Sequence, residues 1–205
     1  MKKNISKEQV IDTVLELLRN NSDIDKLNFR EIARTLGCAH TNLYNYFPSY
    51  NDLLWESHSA ILNNFIIKIK NRMSNEPTEH SLTAFFEAVV NMYMDNKGWF
   101  RLSWHEYIKG ERPENDIETA KTANQILNDY AMDICGRIFP ECPERKNVKR
   151  ILHNTHCYII GEISNYLLGR SFTDNETEFR TYVINEAAYM FRLCIISGTD
   201  TGSQI

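Results

Sequence analysis

Apolar residues recur at the three- and four-residue spacing of a helix along nearly the whole chain, and strict alternation between turn signals is missing. The pattern predicts an all-α protein. Ser6 and Gln9 form the pattern of a capping box, Ile5 and Val10 can close an apolar staple over it, and Val10, Ile11, Val14, Leu15, Leu17 and Leu18 make one face. That helix ends in the polar run Asn20-Asn21-Ser22-Asp23. The signal recurs with Asn28 and Glu31: Leu27 and Ile32 are the staple pair, Phe29, Ile32, Ala33 and Leu36 form the stripe, and Gly37 stops the helix. A third helix follows from about Ala39 to Phe47, and Pro48-Ser49 then breaks the chain and caps a fourth from about Tyr50 to Met73.

Past a loop around Asn75-Glu76-Pro77, a helix is expected over Leu82 to Asp95, with Gly98 separating it from a short aromatic one, Trp99 to Lys109. Gly110 and Pro113 mark the next break, before helices from about Asp116 to Phe139 and from about Glu144 to Leu168, the second closed by Gly169. Thr173 and Glu176 cap a last helix, in which Phe179, Tyr182, Val183, Glu186, Ala187, Met190 and Leu193 recur at helical spacing up to Gly198, and the tail beyond is expected to fray. The prediction is about nine helices: a three-helix unit over residues 1–50 and a larger helical domain over 51–205.

The chain has 205 residues, 42% hydrophobic and 24% charged, which is ordinary globular usage and excludes wholesale disorder or a fibrous repeat. No apolar core follows the basic start, and no run is long enough to span a bilayer, so the expected location is the cytoplasm, with no membrane partner. Cys38, Cys135, Cys142, Cys157 and Cys194 are odd in number and lack CxxC spacing, which argues for thiols over a disulfide framework or a zinc ribbon. The net charge of −4 is unevenly spread: residues 1–50 hold seven Lys/Arg and six Asp/Glu, so the acidity lies beyond them. From Ala33 to Tyr50 the chain carries Arg34 and His40 and no carboxylate, so a surface there can approach phosphates without repulsion.

Phe29 to Gly37, a short turn, then Leu43 to Phe47 describe a helix-turn-helix. Gly37 tolerates a left-handed backbone in the turn, Leu36 and Leu43 can lock the two helices, and Phe47 can anchor the second on Val14 or Leu18. His40, Thr41, Asn42, Asn45 and Tyr46 then make an outward face of short or planar hydrogen-bonding groups suited to a major groove. Tyr44 and Tyr50 can donate hydroxyls to phosphates, helped by backbone N–H groups at the starts of the second and fourth helices.

The run Phe29-Arg30-Glu31-Ile32-Ala33 through Gly37, with Asn42-Leu43-Tyr44-Asn45-Tyr46-Phe47-Pro48-Ser49 and Asp52-Leu53-Leu54, strongly resembles the TetR family of bacterial regulators over residues 5–56. The resemblance implies a DNA-binding surface that includes Asn28, Arg30, His40, Thr41, Asn42, Tyr44, Asn45, Tyr46 and Tyr50, and a homodimer on a two-fold operator. It also implies a helical effector domain that releases DNA when a small molecule binds. Two departures weaken the DNA contacts: Ala39 stands where the family has a capping Ser, and Tyr50 where it has a Lys that meets a phosphate.

An effector cavity in such a domain would draw on Phe86, Tyr93, Trp99, Phe100, Trp104 and Tyr107, with Glu87 or Glu106 as a polar determinant, and would suit an apolar, aromatic or cationic molecule. His153, His156 and Cys157 share one expected helix but have no fourth ligand nearby, so neither a metal nor another cofactor is expected. Ile151, Leu152, Tyr158, Ile159, Ile163, Tyr166 and Leu167, with the stripe from Phe179 to Leu193, offer more apolar surface than one core needs, and the resemblance places a four-helix dimer interface there. No Gly-rich phosphate loop, G-x-S-x-G elbow or HExxH is present, so no enzyme is expected.

Overall fold

The computed structural model describes residues 5–20, 26–74, 80–141 and 143–200. Asn21, Ser22 and Asp23, the loop at Asn75-Glu76-Pro77, Cys142 and the tail from 201 lie outside them. Nine helical segments fill the described residues: α1 (Lys7–Asn20), α2 (Phe29–Leu36), a 3-10 helix (His40–Asn45), α3 (Tyr50–Met73), α4 (Ser81–Met94), α5 (Lys97–Trp104), α6 (Glu114–Ile138), α7 (Arg145–Leu167) and α8 (Glu176–Asp200). Packing gathers them into two units that interleave along the chain, Met1–Phe65 with Asp95–Thr122, and Ile66–Met94 with Ala123–Ile205. The functional division expected from the sequence is a single cut near residue 50.

In the first unit the caps form as local chemistry dictates. Ser6 N–H donates to Gln9 Oε1 at 3.0 Å and Gln9 N–H returns to Ser6 Oγ at 3.2 Å, while Ile5 and Val10 are buried beside them. Ser49 and Asp52 close a second box at the start of α3, with Ser49 N–H 2.8 Å from Asp52 Oδ2 and Asp52 N–H 3.2 Å from Ser49 Oγ. Gly98 does not break the chain as expected. It is buried inside α5, which instead ends at Trp104 and leaves residues 105–113 without regular structure. This helix packs on α1: Trp99 Nε1 donates to the Leu15 carbonyl at 2.7 Å, the Arg19 guanidinium lies 4.8 Å over the Trp99 ring, and Arg19 Nε donates to Asn96 Oδ1 at 3.0 Å.

In the second unit α8 packs along both α4 and α7. Phe86 meets Phe191 edge-on at 5.6 Å, and Arg180 Nη1 donates to Asn91 Oδ1 at 2.9 Å. Gly169, at φ 66°, ends α7 with paired bonds from Gly169 N–H to the Tyr166 carbonyl and from Arg170 N–H to the Asn165 carbonyl. The cap of α8 is Asn175, whose Oδ1 accepts from Thr177 and Glu178 N–H, and Thr173 sits just before it, donating to Glu178 Oε2. Ile151, Leu152, Ile159 and Ile163 of α7 and Phe179, Val183 and Ala187 of α8 are buried within this unit, so they are core and not free surface. The apolar surplus is elsewhere: Tyr182, Tyr189, Leu193 and Ile196 follow one another along the exposed side of α8, with Leu168 and Phe172 exposed at the turn.

Candidate nucleic-acid interface

Asn28 opens α2 with its Oδ1 accepting from Arg30 N–H at 3.0 Å and Glu31 N–H at 3.1 Å. The reciprocal half of the box does not form, because the Glu31 carboxylate turns to Arg34, with Oε2 3.0 Å from Nε and Oε1 2.5 Å from Nη2. Gly37, at φ 70° and ψ 38°, ends the helix: its N–H reaches the Arg34 carbonyl, and Cys38 N–H reaches the Ala33 carbonyl at 2.9 Å. Phe29, Ile32 and Ala33 face the core, which leaves Arg30 and Arg34 outward.

The expected third helix is a 3-10 turn from His40 to Asn45, shorter than the span Ala39 to Phe47. Ala39 gives it no side-chain cap, since a methyl group cannot accept a hydrogen bond. Leu43 and Phe47 are buried, and the Lys7 ammonium of α1 lies 5.7 Å over the Phe47 ring. His40, Thr41 and Asn45 are exposed and Asn42 is half-buried. Tyr44 is 54% exposed but not loose, because its ring meets Phe29 edge-on at 4.9 Å.

Two tyrosines depart from their expected roles. Tyr46 donates its hydroxyl to the Ile5 carbonyl, and Tyr50 donates to the Leu27 carbonyl at 2.7 Å with its ring edge-on to Phe29 at 5.8 Å. Each phenol has one proton to give, and both give it inside the unit. They hold the segments before α1 and α2 against the helix-turn-helix. Burial, with the charge of Glu106, pushes the Tyr50 phenol well above its usual range. The electrostatics also differ from the sequence reading. Glu31, two residues before the acid-free stretch, partly neutralises Arg34, and this hydrogen bond and charge hold the Glu31 carboxyl below its ordinary value. The i, i+3 spacing already carried that signal.

A buried polar cluster joins α3 to the start of α6 within the same unit. Asp116 Oδ1 lies 2.7 Å from His58 Nδ1 and accepts from Ser59 Oγ at 2.8 Å, while Oδ2 accepts from Arg112 Nε at 2.6 Å. Desolvation works to raise the Asp116 carboxyl, but the bonds from His58, Arg112 and Ser59 outweigh it and hold the group below its ordinary value. Nothing local in the sequence signals this cluster, since His58 and Asp116 are 58 positions apart.

The expected effector residues are divided between the two units. Phe86 and Tyr93 are buried in the second unit, and Trp99 and Phe100 in the first, where α5 packs on α1. Trp104 is 44% and Tyr107 85% exposed, because they stand at and beyond the end of α5, so neither lines a buried cavity. Glu87 pairs with Arg72 at 2.7 Å, and Glu106 is exposed. His156 is separated from His153 and Cys157: its Nε2 meets the Tyr93 hydroxyl at 2.9 Å. Among the described residues no three His, Cys, Asp or Glu side chains group closely enough to hold a metal, and no helix is long and apolar enough to cross a membrane.

No protein-family model and no curated protein matches the chain. Solved structures do. A protein of unknown function from a Rhodococcus species aligns with TM-score 0.70 at 15% identity, over 93% of this chain and 96% of that one. The TetR-family transcriptional regulator PfmR from Thermus thermophilus aligns at 0.62 and 17%, over 90% and 97%. The transcriptional regulator FadR from Bacillus subtilis, solved in complex with stearoyl-CoA, aligns at 0.64 and 15%, over 93% and 98%. The chain has the all-helical fold of TetR-family transcriptional regulators.

Proposed function

We propose that this chain is a cytoplasmic, homodimeric, DNA-binding transcriptional regulator, a repressor that leaves a pseudo-palindromic operator when a small molecule binds. The observation that carries the reading is the helix-turn-helix itself. A glycine-closed α2 and a 3-10 turn present Arg30, His40, Thr41, Tyr44 and Asn45 outward, in a stretch that carries no carboxylate between Glu31 and Asp52. The fold shared with known regulators supports it. In this reading Asn28 and Asn42 approach the phosphate backbone, Asn45 and Thr41 read base edges, and Tyr46 and Tyr50 set the angle of the reading surface from inside.

Residues 1–50 hold the DNA-reading surface, and residues 51–205 hold the effector and dimer functions. The exposed stripe Tyr182, Tyr189, Leu193 and Ile196 on α8 supports a dimer closed by α7 and α8, since a two-fold operator needs two reading surfaces about 34 Å apart. An effector acts by binding the two spacings of that dimer with different affinity. Phe86 and Tyr93 are the aromatic residues retained for an apolar or aromatic effector. FadR was solved with stearoyl-CoA, whose acyl chain is apolar.

Selection of binding sites from genomic DNA fragments with the purified protein, repeated for the double variant Tyr44→Ala with Asn45→Ala, tests the proposal. A pseudo-palindrome recovered by the native protein and lost in the variant is the expected result. Failure of folded dimer to enrich any sequence at low salt overturns it.

A further inference from the structure

His153 and Cys157 stand one turn apart on α7, both exposed, with the imidazole Nε2 3.7 Å from the thiol sulfur. The regulator reading uses neither. Around a zinc ion, a nitrogen ligand at about 2.0–2.1 Å and a sulfur ligand at about 2.3 Å lie roughly 3.6 Å apart when the angle between them is tetrahedral. The pair therefore already has the separation of two ligands on one cation. The ion would take the place of the proton shared between the two atoms, and the thiol proton would leave to solvent.

Two ligands are not a site, and the described residues of this chain offer no third. A second copy does. An isologous interface sets a patch against its own image, so one exposed His153–Cys157 pair brought to the axis meets another, and two and two make the four ligands that a tetrahedral cation takes.

We propose that the homodimer carries a site of two imidazoles and two thiolates, contributed equally by its protomers across the two-fold axis, for zinc or a similar divalent ion. The inference rests on the dimer reading of α7 and α8. Gly161, the next turn on the same exposed side of α7, has nothing within 4 Å of where a Cβ would stand, so the helix can approach its copy closely. Two thiolates cancel the charge of a divalent ion, which matters because the exposed Lys149 and Arg150 precede His153 by one turn.

The test is titration of cobalt(II) into the full-length, metal-stripped and reduced protein, with sedimentation equilibrium run on the same samples. The expected result is one cobalt per two chains, with a thiolate-to-cobalt charge-transfer band and the visible absorption of tetrahedral cobalt. Cys157→Ser and His153→Ala each weaken cobalt binding by at least about 100-fold. Both positions are exposed, and thermal melts matching the native protein show that the variants fold. Cys194→Ser, at another exposed thiol, leaves binding unchanged. A metal-free dimer that gives no such band, or one cobalt per chain, overturns the site alone. A monomer at every cobalt concentration overturns the dimer reading and the site with it.

Discussion

The carboxylate of Asp116 is wholly buried, 2.7 Å from Nδ1 of His58, and this contact fastens the first turn of α6 to the middle of α3. With Ser59 and Arg112 also donating, the charge is compensated on both oxygens. Removing the carboxylate strands the buried His58 and Ser59 away from water, at a cost of about 3–5 kcal/mol, while Arg112, 41% exposed, can turn to solvent. Asp116→Leu, which leaves His58, Ser59 and Arg112 without an acceptor, is expected to lower stability by about that much in urea unfolding, and Asp116→Asn, which keeps one acceptor oxygen, by less but measurably. An unchanged midpoint in Asp116→Leu would mean that the cluster contributes nothing to the fold.

Tyr46 and Tyr50 separate structure from recognition. Each phenol is spent on a backbone carbonyl, so Tyr46→Phe and Tyr50→Phe each cost about 1 kcal/mol of stability. Operator affinity in the folded variants stays within a few-fold of native. Asn45→Ala has the opposite profile, with an unchanged melt and a loss of about 1–3 kcal/mol in operator binding confined to one base position. Fluorescence anisotropy against operators mutated one pair at a time distinguishes the two. If the Phe variants lost specificity at a base, the inward placement of both hydroxyls would be wrong.

These residues also show what a linear reading reaches. Ser6 with Gln9, Ser49 with Asp52, and Gly37 lie within one helical turn of the groups they satisfy, so their patterns were sufficient. The helix-turn-helix was legible for the same reason. Tyr46 and Tyr50 looked outward because spacing gives only a direction on a helix. Tyr46 follows the 3-10 turn and Tyr50 opens α3, and the carbonyls of Ile5 and Leu27 that take their protons are 41 and 23 positions away, beyond the reach of a local pattern. The aromatic set of the middle falls in both units, and Trp99 of α5 meets Leu15 of α1 across 84 positions. Aromatic side chains at helical spacing report burial without naming the element they are buried against.

That attachment of α5 bears on where the DNA-reading part can be cut. A fragment of residues 1–50 keeps the caps of α1 and α2 but loses Trp99, which takes up the Leu15 carbonyl and lies under Arg19, and it loses nearly all of α3. Such a fragment is expected to be largely unfolded by far-ultraviolet circular dichroism, and to bind operator at least 100-fold more weakly than full-length protein, the lost dimer included. A cooperative melt of the isolated fragment would show that α5 is dispensable.

His156 gives the second unit a pH dependence with a definite sign. Its ring stacks on Tyr93 at 10° between planes with centroids 6.0 Å apart, and its Nε2 meets the Tyr93 hydroxyl at 2.9 Å. Burial, with a smaller contribution from the charge of His153, pushes the imidazole down from 6.5 to about 4. The folded protein therefore holds a neutral ring through a range in which the unfolded chain binds a proton. Stability from this group is complete above about pH 6.5, falls as the pH drops below that, and is gone once the folded ring protonates near pH 4. The difference is worth about 3 kcal/mol. His156→Gln keeps an acceptor for Tyr93 and cannot titrate, so its unfolding free energy is expected to lose that slope between pH 6.5 and 4 while the native protein retains it. Parallel urea titrations across the interval measure both. Equal slopes would place the titrating group elsewhere in the chain.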